Sequence, residues 1–258
     1  MHAPSRAASA MLNKVPAVTL IFWIIKIMAT TVGETAADFL NTNLHLGLTG
    51  TSLVVGLLLL GALLAQLTAR RYTAGRYWVT VVLLSIFGTL LTDNLVDNLG
   101  VSLVTASSVF GAALVVTFMS WYAVERSLSI HTITTRRREL FYWAAILFTF
   151  ALGTAAGDLA AEGLQLGYAS AALLYGGAIA AVAVAFYAFK ANAVAAFWVA
   201  YVLTRPFGAS CGDWLSQPAT NGGLGFGTVG TSALFLFVIL GLVVHLSVRA
   251  SRLARKPT

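Results

Sequence analysis

Apolar positions in this chain fall in long blocks rather than in alternation or along one narrow helical stripe. The blocks cover about 17–40, 50–69, 78–97, 101–124, 141–162, 166–189, 194–216 and 228–248. Each is about 20 residues, the length an α-helix needs to cross a ~30 Å hydrocarbon core at about 1.5 Å per residue. Lipid offers no partner to a bare backbone, so the spans are helices. The pattern therefore predicts an all-α membrane protein with eight transmembrane helices.

Polar positions break the blocks in a repeating order. An aromatic-Trp pair opens the odd-numbered blocks: Phe22-Trp23, Tyr77-Trp78, Tyr142-Trp143 and Phe197-Trp198. Ten residues after each Trp stands a glycine, Gly33, Gly88, Gly153 or Gly208. Fifteen residues after it stands an aspartate, Asp38, Asp93, Asp158 or Asp213. Trp23 to Trp78 and Trp143 to Trp198 are both 55 residues, and Trp78 to Trp143 is 65. The chain reads as two halves, each a doubled two-helix hairpin, with the extra residues around Arg136. Repeats with an even number of helices all point the same way and are related by an axis along the membrane normal. One helix of each hairpin is expected to face that axis. The expected layout is a tail at 1–16, one transmembrane domain at 17–248 (repeats about 17–75, 76–130, 141–190 and 194–248) and a basic tail at 249–258. The run 17–40 is too long for a signal peptide and is read as a retained first helix, with Met1 or Met11 as the start.

The acids follow the same register. Seven of the nine, Glu34, Asp38, Asp93, Asp97, Asp158, Glu162 and Asp213, lie eleven, fifteen or nineteen residues after a Trp. Steps of four stay on one helix face. The stripes read Glu34-Asp38-Thr42, Thr89-Asp93-Asp97, Thr154-Asp158-Glu162 and Ala209-Asp213-Gln217. Fifteen residues of helix rise about 22 Å, so the aspartates belong in the half of the membrane away from the tryptophans. A carboxylate costs roughly 2.5–3.5 kcal/mol at the centre of a membrane helix, so seven are expected to face one another, a cation or water. Crowded carboxylates share protons, which makes proton exchange for a metal ion natural.

All-oxygen donors suit a hard divalent cation, Mn²⁺ or Mg²⁺ with Ca²⁺ beside them, better than zinc or copper. Thr89, Thr154 and Gln217 are expected to line the site, and His45, near the outer end of a stripe, is a weaker ligand candidate. Two cations interrupt the spans, Lys26 and Arg205. Lys26 is expected to snorkel to the near surface. Arg205, about 10 Å in, is expected to pair with an acid or line a polar path. The four glycines read as close-packing positions or as unwound turns that expose carbonyls. Pro206, between Arg205 and Gly208, favours a break in the seventh helix. The aromatic-Trp pairs read as interfacial belts. The run Asn221–Gly227 reads as an outer loop, and nothing resembles a catalytic triad, a phosphate loop or a dinucleotide fingerprint.

Composition and charge narrow the reading further. The chain is 59% hydrophobic and 10% charged, against about 25% charged in soluble domains. One cysteine, Cys211, excludes a disulfide framework. The net charge of +7 is not a nucleic-acid signal, because the basic residues are divided among alternate loops. Arg6 and Lys14, Arg70, Arg71 and Arg76, Arg126 and Arg136 to Arg138, Lys190, and Arg249 to Lys256 occupy one set, and the intervening loops have neither Lys nor Arg. The positive-inside rule puts both termini in the cytoplasm.

With its four Trp-bearing hairpins between about Phe22 and Leu246, the chain resembles a family of bacterial membrane-anchored proteins built from four tandem two-helix repeats of unknown function. Trp23, Trp78, Trp143 and Trp198 carry the resemblance. It implies the eight-helix architecture and a bacterial inner membrane, and transfers no catalytic residue.

The expected function is a membrane transporter, not an enzyme, for a cation, with Mn²⁺ or Mg²⁺ favoured, a proton as the coupled ion and no organic cofactor. The partners are the bilayer and the cation, with a homo-oligomer compatible. The alternatives are a proton, monovalent or organic-cation channel or transporter, and an intramembrane metal-dependent enzyme or partner protein.

Overall fold

The computed structural model describes residues 13–43 and 46–254. Met1, Met11, His45, Arg255 and Lys256 lie outside them. Eight long helices run through the described chain: α1 (Leu20–Asn43), α2 (Gly47–Thr68), α3 (Ala74–Asp93), α4 (Leu103–Glu125), α5 (Arg136–Asp158), α6 (Tyr168–Tyr187), α7 (Ala193–Ser216) and α8 (Gly227–Ala254). Seven are long and apolar enough to cross a membrane. The remaining one, α7, has the length, but Arg205, Pro206 and Asp213 interrupt its apolar sequence. This differs from the eight uniformly apolar spans expected.

Helix starts follow local chemistry. Ser102 caps α4 by accepting from the Thr105 amide at 3.2 Å. Thr135 caps α5 through the Arg138 amide at 3.3 Å. Asn192 accepts from the Val194 and Ala195 amides at 3.0 and 3.1 Å at the start of α7. Each satisfies an orphan donor of a first helical turn. The left-handed backbone of Arg126 (φ 55°) ends α4.

The odd helices form the inner ring, with α1 against α3, α3 against α5, α5 against α7 and α7 against α1. The even helices lie outside: α2 on α3, α4 on α5, α6 on α7 and α8 on α1. An inner helix from each repeat is what the spacing predicts. The hairpin as the packing unit is not. α2 packs chiefly on α3, across the basic loop, and only slightly on α1. Each outer helix thus buttresses the next repeat, and α8 closes the circle on the first.

Four repeat glycines lock the ring. A Cβ on Gly33 (α1) would strike Ser85 (α3), and one on Gly88 (α3) would lie 2.7 Å from Phe150 Cβ (α5). One on Gly153 (α5) would lie 2.5 Å from Arg205 Cβ (α7), and one on Gly208 (α7) 2.8 Å from Thr30 Cβ (α1). Thr30, Ser85, Phe150 and Arg205 are the seventh residues after the four tryptophans. Position ten of each repeat is therefore the socket for position seven of the next. All four glycines are close-approach positions and lie in unbroken helix. Pro206 likewise sits inside a continuous α7, so the expected break is absent there. Neighbouring helices hold the turn in place: Thr30 Oγ1 donates to the Thr204 carbonyl at 3.2 Å.

The aromatic-Trp pairs also differ from expectation. Trp78, Trp143 and Trp198 are 1%, 4% and 5% exposed, and Tyr77 and Tyr142 are fully buried. They do not form a lipid-facing belt. Phe22 meets Trp78 at 5.7 Å, Tyr77 meets Trp143 at 5.5 Å, Tyr142 meets Trp198 at 6.1 Å and Phe197 meets Trp23 at 5.6 Å between centroids. The eight rings close into a layer across the bundle, tilted between repeats and edge-on within each pair, the latter a geometry that aromatic quadrupoles favour. Tyr77 and Tyr142 share a hydroxyl hydrogen bond of 2.5 Å.

Residues 13–15 brace this end. The Lys14 amide donates to the Ile133 carbonyl at 3.0 Å. The Lys14 ammonium pairs with Glu139 at 2.6 Å, and Gln66 Nε2 donates to Glu139 Oε1 at 3.4 Å. Glu139 is buried in the first turn of α5. The Trp198 indole donates to the Leu128 carbonyl at 2.9 Å, tying the long 126–135 loop over α7.

Candidate functional site

From the aromatic layer, a polar column runs along the inner faces of α1, α3, α5 and α7. Its first level holds the third residues after the tryptophans: Lys26, Val81, Ile146 and Tyr201, all fully buried. The Lys26 ammonium lies 4.4 Å from the Phe150 ring centroid and 4.3 Å from that of Tyr201, and donates to Thr204 Oγ1 at 3.3 Å. The expected snorkelling does not occur, because the side chain leaves α1 on its inner face. Ring quadrupoles and one hydroxyl hold a cation that faces no carboxylate within ion-pair distance among the described residues.

Arg205 occupies the next level and is fully buried. Its Nη1 donates to the Thr30 carbonyl at 2.9 Å. Its Nη2 donates to Glu34 Oε2 at 3.0 Å, to Thr154 Oγ1 at 2.7 Å and to Thr89 Oγ1. Thr89 Oγ1 also donates to Glu34 Oε2 at 3.4 Å. Glu34, Thr89 and Thr154 are the eleventh residues of the first three repeats. In the fourth that position is Ala209. One guanidinium from the fourth repeat therefore meets the polar groups of the other three. The expected acid partner of Arg205 is Glu34.

Beyond this level lie the carboxylates. Glu34, Asp158 and Asp213 each bring an oxygen within 4.8 Å of the other two. Asp38 and Asp93 belong to the same electrostatic cluster: Asp93 interacts with Glu34, Asp38 and Asp97, and Asp38 with Glu34, Asp97 and Glu162. Glu34 and Asp213 are buried, Asp38, Asp93 and Asp158 are half-buried, and Asp97 and Glu162 are exposed. Accessibility thus rises along the stripe away from Arg205. Gln217 is half-buried and Thr42 exposed. Thr42 Oγ1 donates to the Asp38 carbonyl at 2.7 Å. His45 lies outside the described residues.

The stripe ends differently in two repeats. After Asp93 and after Asp158 the chain widens into single π-helical turns, Asn94–Asn98 and Leu159–Gly163. Such turns occur often at functional sites. They change the register of Asp97 and Glu162, which a steady four-residue step had placed directly over the aspartates. Glu162 Oε1 instead accepts from the Tyr168 hydroxyl at 3.0 Å. The glycine-rich run folds back on the end of α7, with the Leu224 amide donating to the Trp214 carbonyl at 2.6 Å and the Gly225 amide to the Gln217 carbonyl at 2.9 Å.

Sequence reasoning passed over Tyr201, Phe150 and Thr204 as partners of the buried lysine. Tyr201 stands three residues after Trp198, as Lys26 does after Trp23, and that shared register was the available signal.

These features define a class: an all-α bundle of four two-helix repeats, most of its helices apolar enough to cross a membrane, with an acid-rich interior. A family model for a repeat of unknown function, DUF347, matches at residues 21–72, 76–127, 141–192 and 196–251, and the chain belongs to that family. No curated protein and no solved structure matches it.

Proposed function

We propose that this protein is a membrane transporter for a cation, taken up among intramembrane carboxylates. The observation that carries the reading is the approach of Glu34, Asp158 and Asp213, from three different repeats, to within 4.8 Å of one another. Asp38, Asp93, Asp97 and Glu162 add to the field on the accessible side. Among the described residues only oxygen ligands converge there, which favours Mn²⁺ or Mg²⁺ as the substrate over zinc or copper. The reading is of a carrier, not an enzyme, with protons from the crowded carboxyl groups as the exchanged ions. With the positive-inside rule, the basic loops and both termini lie in the cytoplasm of a bacterium, and the carboxylates open outward. The aromatic layer and the Arg205 level then stand between the acids and the cytoplasm, as a transporter needs in one of its states. The test is metal flux in proteoliposomes. Asp158→Asn and Asp213→Asn are expected to abolish it while the protein keeps its unfolding temperature within a few degrees, and undiminished flux in both variants rejects the proposal.

One observation favours a second reading. The guanidinium of Arg205 already offsets one charge of the cluster at Glu34, which weakens the field for a divalent ion. A proton or monovalent-cation carrier would work with less charge. Flux of protons or monovalent cations without metal flux selects it.

A further inference from the structure

Between the first turns of α1, the last turns of α6 and the start of α7 lies a crevice of about 540 Å³. Its walls include Ile27, Val182, Phe186, Phe197 and Ala200, and its inner end is Thr204. The rim carries Thr19, Ser129 and His131, the last two from the long 126–135 loop. The turn joining α6 to α7 forms the other edge: Tyr187 and Ala193 line the crevice, and the exposed Lys190 belongs to the turn that connects them.

Three properties select an occupant. The crevice runs along α7 from Ala193 to Thr204, about 16 Å of helix rise, which matches one leaflet's share, about 15 Å, of the hydrocarbon core. The polarity is graded: apolar side chains fill the depth, while hydroxyls and an imidazole line the rim, next to a turn that carries an exposed lysine. The rim also belongs to the end of the bundle where the basic loops cluster, the side on which anionic headgroups attract Lys and Arg. We infer that the crevice is a binding site for an anionic phospholipid, with one acyl chain lying between α6 and α1 and the headgroup held by Lys190, His131 and Ser129. The chain would end at the α7 turn of Thr204, a fully buried residue whose hydroxyl accepts from the buried Lys26 ammonium. The inference is independent of which ion, if any, the acids carry.

The test is native mass spectrometry of the delipidated full-length protein, with phosphatidylglycerol and phosphatidylcholine of identical chains. Wild type is expected to retain one phosphatidylglycerol, at least about fivefold more strongly than phosphatidylcholine, the effect of one basic residue near a headgroup. Lys190→Glu is expected to remove that preference. Ala200→Trp, which fills the depth, and Ala183→Trp, which narrows the crevice from the exposed face of α6, are each expected to remove the bound lipid. Equal retention of the two lipids by wild type overturns the inference. So does a phosphatidylglycerol kept by Ala183→Trp, whatever Ala200→Trp does to folding.

Discussion

Arg205 of α7 and Glu34 of α1 form a buried ion pair at 3.0 Å, 171 residues apart in the chain. The pair closes the ring electrostatically as Gly208 and Thr30 close it sterically. Removing one partner of a buried pair leaves an uncompensated charge, at about 3–5 kcal/mol. Glu34→Gln and Arg205→Met are each expected to lower stability by that order. The double variant is expected to recover at least half of the summed loss, because neither charge is then stranded. Thermal unfolding in detergent, analysed as a double-mutant cycle, reads the coupling. Strict additivity would show that the two side chains do not depend on each other.

The glycine sockets predict a graded series. Gly208→Ala sets a methyl 2.8 Å from Thr30 Cβ and 3.2 Å from the Ile27 carbonyl oxygen, and Gly88→Ala sets one 2.7 Å from Phe150 Cβ. Overpacking of this kind costs about 1–3 kcal/mol. Gly61 and Gly241 have open space where a Cβ would go, so alanine there is expected to be neutral or to stabilise by up to ~1 kcal/mol through helix propensity. Unfolding temperatures of the four single variants decide it. Equal behaviour of both groups would remove the glycines from the ring contacts.

Much of this ring is present in the sequence as register. Positions three, seven, eleven and fifteen after each Trp are steps of four, and all four levels turn out to be interior. The acids made the lower levels visible. Lys26 was legible by the same count, since it lies two turns before Glu34 on the stripe, but its nearness to the helix start invited a surface role. The tryptophans were misplaced for a related reason: depth in the membrane says nothing about which way a ring points, whereas a residue three before an interior position shares its face. Two features left no trace. A 55-residue period is the same whether α2 folds back on α1 or forward on α3, because the loops on both sides are short. The π-helical turns after Asp93 and Asp158 insert no distinctive residue, so Asp97 and Glu162 could not be told from residues on an unbroken stripe. Pro206 misled in the opposite sense, because packed neighbours keep α7 continuous through a residue that breaks isolated helices.

The carboxylate cluster predicts ligand-linked stability. If Glu34, Asp158 and Asp213 hold a divalent ion, Mn²⁺ or Mg²⁺ at a hundredfold excess over its Kd is expected to stabilise the purified protein by about 2.7 kcal/mol. Asp213→Asn is expected to weaken that shift strongly, whereas Glu125→Gln, at the distant Arg137 pair, is expected to leave it intact. A differential scanning panel with Mn²⁺, Mg²⁺, Ca²⁺ and Na⁺ measures it. Shifts that are equal in wild type and Asp213→Asn would place the ion elsewhere.

Lys26 separates a structural role from a functional one. Its ammonium rests between two aromatic faces with one hydroxyl bond, and burying a charge without a paired carboxylate costs several kcal/mol. Cation–π contacts offset only part of this, about 2 kcal/mol or somewhat more for a desolvated pair. A residue kept for stability would not be a lysine here, since Met fits the same space with none of that cost. Lys26→Met is therefore expected to raise the unfolding free energy by at least about 1 kcal/mol. If the lysine serves transport, by repelling cations from the aromatic end or by exchanging a proton, the same variant loses flux or lets protons leak. Paired unfolding and proteoliposome flux measurements resolve the two. A variant that is both more stable and fully active would reduce Lys26 to an unused charge. One that is less stable would mean that the two rings and Thr204 outweigh the loss of its hydration.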